Sequence, residues 1–516
     1  MESNGGAATF LLIALLIPNS DCGKVLFIPH CAVKSHVRLF YSLAGRLADN
    51  GHNVTILRWP GSYHITSVPI PPKVSHIDYD DYSVEWALAY IDDLVWKIPD
   101  SFVYYLKFMI VGLPQAIRGC YVMRDKPELM DRLRRAKYDL IVLDPFTMPC
   151  NWAIANQIVA NNMKKFSGAP YVTLIPAIST YYTDRAARIP VPMSYCPSFF
   201  NHNTDQMSFA QRIVNINDHV TFVSLYCRFL MEYAIHAFVW SDAYSRPVMH
   251  MDILPPFMDY PRPHTLTFVN AGETDRIETV RDTDVPELIL DRSSNGTVIF
   301  TLTTVGTERM MPEQIKQPFA TVVSRLNDYR VIWRKLHHSE TVNFKNSMHI
   351  YVTDWFKQPQ VLAHPSAKLL MTHGGLNTIV EAATHGVPML FIPLGVDQHG
   401  TSIRVISRGM GLKVNKVNLK ADDIERDARL ILAEGRRVLI HTFQRAAHRF
   451  RDMIADRKTL LASPFIFWLE YGIRHGEKIR SLQPKGENFV FWTYCLLDTF
   501  FSILTVIALF SFYLAN

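Results

Sequence analysis

Short apolar runs alternate with amphipathic segments through the first half of the chain. An apolar run at residues 24–30 is followed by a segment whose apolar side chains recur every three or four residues, and then by a second run at 53–59. Bounded apolar runs of this length are typical of buried strands, and the recurrence is typical of an amphipathic helix. The pattern predicts a β-α-β opening of a parallel sheet, to which the runs at 138–146 and 169–177 add strands.

The same alternation begins again at residue 296 and predicts a second parallel sheet. Its apolar runs are GTVIFTLTTVGT (296–307), YRVIWRKL (329–336), SMHIYVTDW (347–355), AKLLMTHGG (367–375) and PMLFIPLG (388–395). The segment 245–265 between the halves is rich in proline and weakly periodic, which indicates a linker region. Open parallel sheets bind ligands beyond the carboxyl ends of their strands, so two such halves predict an α/β protein with a shared cleft.

The two ends of the chain carry apolar stretches that differ from the strand-like runs of the two halves. The run at 9–17 has the length of a secretory h-region, and small residues follow it, so we expect a signal peptide over 1–22. A buried helix is the alternative explanation of this run. The stretch 489–515 is long enough to span a bilayer, which takes about 20 apolar residues. Together the ends predict a single-pass membrane protein with its bulk on the luminal or extracellular side.

Charge and cysteine content narrow the function classes. The net charge of +6 is small and scattered over 516 residues, so nucleic acid is not expected as a partner. The 7 cysteines show no Cys/His cluster of zinc spacing, so we expect no metal site, and any disulfide pairing stays open. Glycosylation sequons begin at Asn53 and Asn295. Because Asn53 lies in a predicted strand, where burial would deny it a glycan, Asn295 is the expected acceptor.

The turn after the fourth predicted strand of the second half has the features of an anion site. His373, Gly374 and Gly375 follow that strand, and a helix predicted to begin near Asn377 points its free amides at the same place. The glycines let the backbone approach a bulky phosphate, and His373, Asn377 and Thr378 offer side-chain contacts to it. The alternative is a tight turn with no ligand.

Further polar residues extend this site into one for a nucleotide sugar. Glu381 lies one turn after Asn377 on the same helix face, where its carboxylate can accept both hydroxyls of a ribose. Asp397 and Gln398 follow the next strand and can hold several sugar hydroxyls, which a plain nucleotide would not require. Trp355 precedes the unit and offers a flat surface for a base. Phosphate, ribose and sugar contacts together indicate a nucleotide sugar as the ligand.

From Trp355 to Gln398 the chain resembles the donor-binding signature of the UDP-glycosyltransferases, the group that contains the UDP-glucuronosyltransferases. The matching positions keep the family's order without gaps and are Trp355, Gln358, Leu362, His364-Pro365, Thr372 to Gly375, Asn377, Glu381, Gly386 to Pro388, Pro393 and Asp397-Gln398. The segments 205–215, 467–475 and 496–498 are also similar to the membrane-bound branch of the endoplasmic reticulum. The resemblance implies two facing Rossmann-like domains of the GT-B type, a C-terminal transmembrane helix, and a UDP-sugar co-substrate with no cofactor.

The chain departs from the family pattern at several positions. Lys357 stands where the family usually has proline, the segment 269–273 replaces its usual Gly-Gly, and Thr303 stands where glycine is common. Thr304 still offers a hydroxyl to the donor phosphates. No basic residue follows the predicted C-terminal span, so we do not expect the family's basic cytosolic tail. Donor binding is still expected, whereas the means of membrane retention is open.

A histidine and an aspartate at strand ends of the first half are the candidates for catalysis. His36 follows the first strand and its expected N-cap Ser35, and a free imidazole titrates near pH ~6.5, which suits removal of a proton from a hydroxyl. Asp144 ends a second strand, where it can orient His36 and stabilise its protonated form. Both match the family's catalytic pair, which the competing His30 does not. A structural histidine and an Asp-Pro turn are the alternatives.

These observations divide the chain and assign it a reaction. The predicted segments are a signal peptide (1–22), an acceptor-binding and catalytic domain (23–260), a linker (261–284), a UDP-sugar-binding domain (285–455), a helical juxtamembrane segment (456–488) and a transmembrane helix (489–515). We expect inverting transfer of glucuronate or glucose from a UDP-sugar to a hydroxyl of a small lipophilic acceptor, on the luminal side of the endoplasmic reticulum membrane. The acceptor, the donor sugar and assembly as a homo-oligomer stay open.

Three other functions compete with this one. A metal-dependent glycosyltransferase would use an Asp-x-Asp motif, which occurs at 78–80 and 282–284. A non-catalytic module could retain the UDP-sugar pocket, although His36 and Asp144 argue against it. A purely structural membrane protein would need none of the polar residues at the strand ends.

Overall fold

The computed structural model describes most of the two predicted halves. The described residues are 22–30, 33–59, 66–79, 96, 126–145, 151–152, 154–155, 158, 170–179, 183–184, 189–198, 201–220, 247–272, 290, 295–302, 311–335, 344, 347–395, 397–416, 418–433, 443–460, 463–483 and 497–515. The predicted signal peptide lies outside these residues, apart from Cys22.

The first half forms a seven-stranded sheet in the order β3-β2-β1-β4-β5-β6-β7, and every pairing between neighbouring strands is parallel. Its strands are β1 (Lys24–Ile28), β2 (Asn53–Arg58), β3 (Ser75–Asp78), β4 (Leu140–Leu143), β5 (Tyr171–Ile175), β6 (Met249–Asp252) and β7 (Phe268–Asn270). Nearly all residues of β1, β4 and β5 are buried, as continuous apolar runs in a parallel sheet require.

The second half forms a six-stranded sheet in the order β10-β9-β8-β11-β12-β13, which is again parallel throughout. Its strands are β8 (Thr297–Thr301), β9 (Arg330–Arg334), β10 (Ile350–Thr353), β11 (Ala367–Thr372), β12 (Met389–Phe391) and β13 (Gly411–Lys413). On one face of this sheet the buried rings of Phe300 and Trp333 stack with centroids 4.0 Å apart.

Helices with described bounds connect and cover these strands. They are α1 (Lys34–Asp49), α2 (Pro127–Arg135), α3 (Glu313–Arg325), α4 (Gln358–Ala363), α5 (Leu376–His385), α6 (Gln398–Ile406), α7 (Ala421–Leu432), α8 (Phe443–Leu460), α9 (Pro464–His475) and α10 (Leu497–Ala515), with a 3-10 helix at Gly476–Leu482. The helix predicted after the first strand is α1, and its buried face is apolar apart from His36.

The strand order places a topological switch point in each half. Chain order reverses between β1 and β4 in the first sheet and between β8 and β11 in the second. In open α/β sheets, ligands bind in the crevice beyond the carboxyl ends of the strands at such a point. His36 and Asp144 follow the two switch-point strands of the first half, and His373 follows one of those in the second half.

The first sheet extends into the segments that the sequence predicts as linker. β6 lies within 245–265 and β7 lies within 261–284, and both strands are fully buried. Prolines flank these strands without interrupting them, so a proline-rich composition concealed two short strands of four and three residues.

The segment that contains α9 contacts the first half. Asn50 donates from Nδ2 to Oε1 of Glu470 on α9 at 2.8 Å, and Gln483 donates from Nε2 to the carbonyl of Pro247 at 2.6 Å. The predicted juxtamembrane segment 456–488 therefore packs against the first half through α9.

The helix α10 lies inside the stretch where the sequence predicts a transmembrane helix, while residues 489–496 lie outside the described ones. Apolar side chains between 501 and 510 are exposed. Across the described ranges, no helix is both long and apolar enough to cross a membrane. The predicted span is therefore not confirmed.

Candidate active site

His36 and Asp144 form a buried hydrogen-bonded pair in the first half. β1 and β4 are parallel neighbours with Ile28 opposite Leu143, so the residues that follow them meet at one sheet edge. Nδ1 of His36 lies 2.6 Å from Oδ2 of Asp144, and both side chains are buried. An ionised carboxylate only accepts hydrogen bonds, so Nδ1 carries the shared proton and Nε2 is the basic ring nitrogen.

The start of α1 differs from the sequence prediction by two residues. The helix begins at Lys34, its N-cap is Val33, and no side chain caps it. Ser35 is therefore inside the first turn and is not the N-cap. His36 is the third helical residue, which turns its ring into the protein toward Asp144.

Asn151 supports this pair, and the sequence offered no signal for it. Its Nδ2 donates to the backbone carbonyls of Ile28, Pro29 and Asp144 at 3.3, 3.1 and 2.9 Å. One buried amide thus ties the end of β1 to the residue that follows β4. This contact fixes the spacing of the two strand ends on which the His36–Asp144 distance depends.

His30 packs against the pair as a neutral ring. Its ring lies edge-on to that of His36 with centroids 5.4 Å apart, and its Nδ1 accepts the backbone N–H of Val33 at 3.1 Å. Burial, and then the nearby His36, hold the pKa of His30 well below its usual value. His30 is therefore suited to packing and to holding the start of α1.

The predicted anion site lies between the end of β11 and the start of α5. Gly374 has φ +90°, a left-handed conformation that favours glycine, and Gly375 is the extended N-cap of α5. A Cβ at Gly375 would lie 2.6 Å from Nε2 of His373, so only glycine leaves room for that ring. No side chain caps α5, so its first amides point beyond the strand end.

Several buried polar atoms beside these amides have no hydrogen-bond partner among the described residues. They are Oγ1 of Thr372, Nδ1 of His373 and Oδ1 of Asn377. Burial first, and then Arg334, lower the pKa of His373 to about 3, so its ring is neutral and has one N–H to donate. Unpaired buried polar groups are uncommon in native proteins, and their convergence here is typical of a ligand-binding site.

The predicted ribose contact Glu381 is buried and engaged by a neighbour. Nε2 of Gln358 donates to Oε2 of Glu381 at 2.7 Å and approaches Oγ1 of Thr378 at 3.4 Å. Gln358, Thr378 and Glu381, all predicted from the sequence, therefore form one cluster across α4 and α5. The Gln358 amide holds the carboxylate in place.

Asp397 and Gln398 lie at the start of α6. Oε1 of Gln398 accepts the backbone N–H groups of Leu394 at 2.8 Å and Gly395 at 3.2 Å, which fixes the turn before the helix. Burial raises the pKa of Asp397 to about 6, and His36 of the other half opposes this rise. The carboxylate of one half and the imidazole of the other are thus electrostatic neighbours across the cleft.

Two arginines contact Trp355, and neither has a local signal in the sequence. The ring is 43% exposed, and the guanidinium carbons of Arg334 and Arg38 lie 4.5 and 4.8 Å from its centroid. Arg334 belongs to β9, whereas Arg38 belongs to α1 in the first half. Trp355 therefore lies where the two halves meet, beside cations that suit a nucleotide.

A buried ion-pair network joins α6 to the segment after β6. Nε of Arg404 lies 2.7 Å from Oδ1 of Asp259, and Arg262 pairs with Asp184. Burial opposes ionisation of Asp259, but Arg404 and Arg262 outweigh it and lower its pKa to about 2. The Arg404–Asp259 pair holds the helix that carries Gln398 against the first half.

The remaining predicted residues belong to the alternative motifs, the phosphate contact Thr304 and the glycosylation sequons. Thr304 and residues 282–284 lie outside the described residues. Asp78 of the 78–80 motif is held by Arg58 through two bonds of 2.6 and 2.7 Å. Asn295 is exposed, as expected of a glycan acceptor, but so is Asn53 at the start of β2, so the argument that burial protects Asn53 is wrong.

Comparison with known proteins finds one family across nearly the whole chain. A family model described as "UDP-glucoronosyl and UDP-glucosyl transferase" matches residues 23–516. The chain is 24% identical to UDP-glucuronosyltransferase 1A1 of Rattus norvegicus over 517 residues, covering 96% of this chain and 91% of the relative. It is 26% identical to UDP-glucuronosyltransferase 2A3 of Mus musculus over 526 residues, covering 98% and 93%.

The fold is similar to that of Os79 from O. sativa, which was solved in complex with UDP. The TM-score is 0.56 at 15% sequence identity, over 87% of this chain and 100% of that chain. This likeness, with the two parallel sheets, confirms the predicted GT-B arrangement of two Rossmann-like domains.

Proposed function

The chain belongs to the UDP-glucoronosyl and UDP-glucosyl transferase family, and we propose that it transfers a hexosyl group from a UDP-sugar to a hydroxyl of a small lipophilic acceptor. Family membership confirms that the chain is a glycosyltransferase enzyme, as the sequence predicted. The proposal adds the stereochemistry, the acceptor class and the roles of individual residues. The observation that carries it is the buried His36–Asp144 pair, electrostatically coupled to Asp397 of the other half.

In the proposed reaction His36 is the general base. Nε2 takes the proton of the acceptor hydroxyl as its oxygen forms a bond to the anomeric carbon. The bond from that carbon to the β-phosphate oxygen breaks, and UDP leaves with the electron pair. Attack from the face opposite UDP converts an α-linked donor to a β-glycoside. The ionised Asp144 stabilises the imidazolium that forms.

The donor is proposed to lie along the carboxyl edge of the second sheet. The amides at the start of α5, with His373, Asn377 and Thr378, are suited to the departing diphosphate, where they stabilise the charge that develops. The unpaired buried atoms of Thr372, His373 and Asn377 support this assignment. Thr304 is proposed as a further phosphate contact.

The other proposed contacts are to the ribose, the base and the sugar of the donor. Glu381, held by Gln358, is proposed to accept the ribose hydroxyls, and Trp355 to stack on the uracil base. Asp397 and Gln398 are proposed to bind the sugar hydroxyls. A carboxylate beside an amide can accept and donate several hydrogen bonds, which suits a polyhydroxylated ring.

We further propose that the enzyme acts in the lumen of the endoplasmic reticulum as a single-pass membrane protein. The sequence supports this through the signal-like run at 9–17 and the apolar stretch at 489–515. The exposed Asn295 supplies the test. A glycan that endoglycosidase H removes from the full chain, and that Asn295→Gln eliminates, supports a luminal location, whereas no glycan at Asn295 contradicts its assignment as the acceptor.

The activity is tested with the full chain in microsomes. UDP-glucuronate or UDP-glucose is supplied with 4-nitrophenol, and UDP release is measured with and without the acceptor. The proposal expects release only when the acceptor is present, a product with a β-anomeric linkage by NMR, and activity that survives EDTA. Acceptor-independent hydrolysis, or UDP binding without any transfer, would support the alternative of a non-catalytic UDP-sugar-binding module.

A further inference from the structure

Four nitrogen-bearing side chains converge beside the sugar end of the cleft. His399 is the second residue of α6, Lys413 ends β13, Lys416 follows it, and His202 comes from the first half. The rings of His202 and His399 meet edge to face with centroids 4.6 Å apart, and Nζ of Lys413 lies 3.1 Å from Nδ1 of His202. We call these four residues the basic cluster.

His399 is the buried centre of the basic cluster. The residue is 7% exposed, and neither ring nitrogen has a hydrogen-bond partner among the described residues. Burial first, and then His202, Lys413 and Lys416, lower the pKa of His399 to about 2, so the ring is neutral. It therefore presents one N–H donor, whose pairing a ligand would satisfy.

The basic cluster is open to solvent on one side. His202 is exposed and Lys413 is half-buried, whereas Lys416 is buried and donates to the carbonyl of Leu394. Burial lowers the pKa of Lys416 to about 8, so its ammonium is still mostly charged near neutral pH. A ligand group that enters beside His202 would meet two ammonium groups and the buried His399 ring.

The basic cluster lies directly beside the residues proposed to hold the sugar. His399 follows Gln398 in α6. The backbone of Leu394 links the sugar-binding residues to the basic cluster, because its N–H donates to Gln398 and its carbonyl accepts from Lys416. The start of α5 is already proposed to bind the diphosphate. A second site for negative charge at the sugar end is not needed for a neutral hexose.

We propose that His202, His399 and Lys413 form a subsite that binds a carboxylate carried by one of the two substrates. Two carboxylate oxygens match the separate donors of an imidazole and an ammonium, and Lys416 adds positive charge beneath them. The carboxylate can belong to either substrate, since it is found at C6 of a uronosyl donor and in an acidic group on the acceptor. The adjacency to Gln398 favours the donor. This inference rests on the proposed sugar transfer and adds the charge of the substrate.

The test compares initial rates for the full chain in microsomes. The donors are UDP-glucuronate and UDP-glucose, and the acceptors are 4-nitrophenol and the carboxylate-bearing 4-hydroxybenzoate. Lys413→Met and His202→Gln replace accessible members of the basic cluster, and Lys420→Met is the matched control at an exposed lysine of the same half. Losing a charge-assisted bond should lower the kcat/KM ratio of charged to neutral substrate about tenfold or more in both cluster variants.

Each outcome decides the proposal. A fall in the ratio of UDP-glucuronate to UDP-glucose assigns the subsite to the donor, and a fall in the ratio of the two acceptors assigns it to the acceptor. Both ratios unchanged, or an equal fall in the Lys420→Met control, overturns the subsite. A thermal-shift titration of wild type and Lys413→Met with UDP-glucuronate, UDP-glucose and UDP reports binding without turnover. It therefore separates failure of the donor assignment from failure of the proposed transfer.

Discussion

Nδ1 of His36 and Oδ2 of Asp144 lie 2.6 Å apart, although 108 residues separate them in the chain. The contact exists because β1 and β4 are parallel neighbours at the switch point of the first sheet, so the residues after them share one edge. It gives the imidazole a fixed tautomer and places its basic nitrogen on the side away from Asp144. The proposed proton transfer depends on this single relationship.

Replacing Asp144 with asparagine should reduce turnover and leave donor binding intact. The asparagine amide can donate to Nδ1, which favours the tautomer with the proton on Nε2 and removes the base. We expect kcat to fall by about 10² to 10⁴-fold, with the KM for the UDP-sugar within about threefold of wild type. Initial rates at saturating donor measure this. The exposed Asp49→Asn is the control on α1, and a variant with full kcat would show that Asp144 does not orient the base.

Donor affinity should depend on the ionisation of Asp397. Its pKa is raised to about 6, so the carboxylate is neutral below that pH and ionised above it. The ionised form accepts sugar hydroxyls better, so the Kd for the UDP-sugar should fall as pH rises from about 5 to about 7.5. Titrations of wild type and Asp397→Asn across this range measure it. The same pH dependence in Asp397→Asn would assign it to another group.

The raised pKa of Asp397 also has a consequence for folding. The folded state holds this proton more tightly than the unfolded state, so the stabilisation is present below the unfolded pKa and is lost as pH rises through about 6. Thermal unfolding of Asp397→Asn near neutral pH should therefore occur at a higher temperature than that of wild type. A lower unfolding temperature for the variant would contradict the raised pKa of this carboxylate.

Glu381 should determine discrimination between ribose and deoxyribose. Its carboxylate is held by Gln358 at 2.7 Å in a buried position, where a second hydroxyl partner contributes about 1 to 3 kcal/mol. Wild type should bind UDP about tenfold or more tightly than 2′-deoxy-UDP, and Glu381→Ala should bind the two alike. Competition binding measures both ligands. If Glu381→Ala keeps the wild-type preference, another group contacts the ribose.

The pair of Arg404 and Asp259 should contribute to the stability of the whole chain. Removing one partner of a buried pair leaves an unpaired charge, which costs about 3 to 5 kcal/mol, so Arg404→Met should lower the unfolding temperature clearly. The pKa of Asp259 is lowered to about 2, so the stability it contributes is present above its unfolded pKa of about 3.9 and is lost as pH falls toward 2.

The control for this pair is Arg426→Met, which removes an exposed partner of Asp423 and should leave the unfolding temperature close to that of wild type. Thermal unfolding of wild type and both variants, followed from about pH 3 to pH 7, makes the comparison. Equal unfolding temperatures for Arg404→Met and Arg426→Met would show that the buried network does not hold α6 against the first half.

The sequence predicted the positions of those candidate residues that follow strand ends. His36, Asp144, His373 and Asp397 each come directly after an apolar run or open the helix that follows one, and the rule for parallel sheets brings such residues to one edge. The local sequence around these residues was therefore enough to predict their positions. The start of α1 was misplaced by two residues because Ser35 has a side chain typical of an N-cap, whereas the extended Val33 is the N-cap.

Other contacts had no local signal in the sequence. Asn151 acts through backbone carbonyls more than 100 residues away, and the Arg404–Asp259 pair joins segments 145 residues apart. Arg38 and Arg334 meet Trp355 only because two halves approach each other. The short strands β6 and β7 were hidden among prolines. Contacts set by tertiary packing were thus the part that pattern and spacing did not reveal.

The most direct test of the proposed function is the transfer rate of His36→Ala with either UDP-sugar, measured beside its binding of UDP. The account predicts that kcat falls by about 10² to 10⁴-fold while the thermal shift produced by UDP stays at the wild-type value. His76→Ala, which changes an exposed histidine of β3, should retain both properties. Full transfer by His36→Ala would contradict the assignment of His36 as the base.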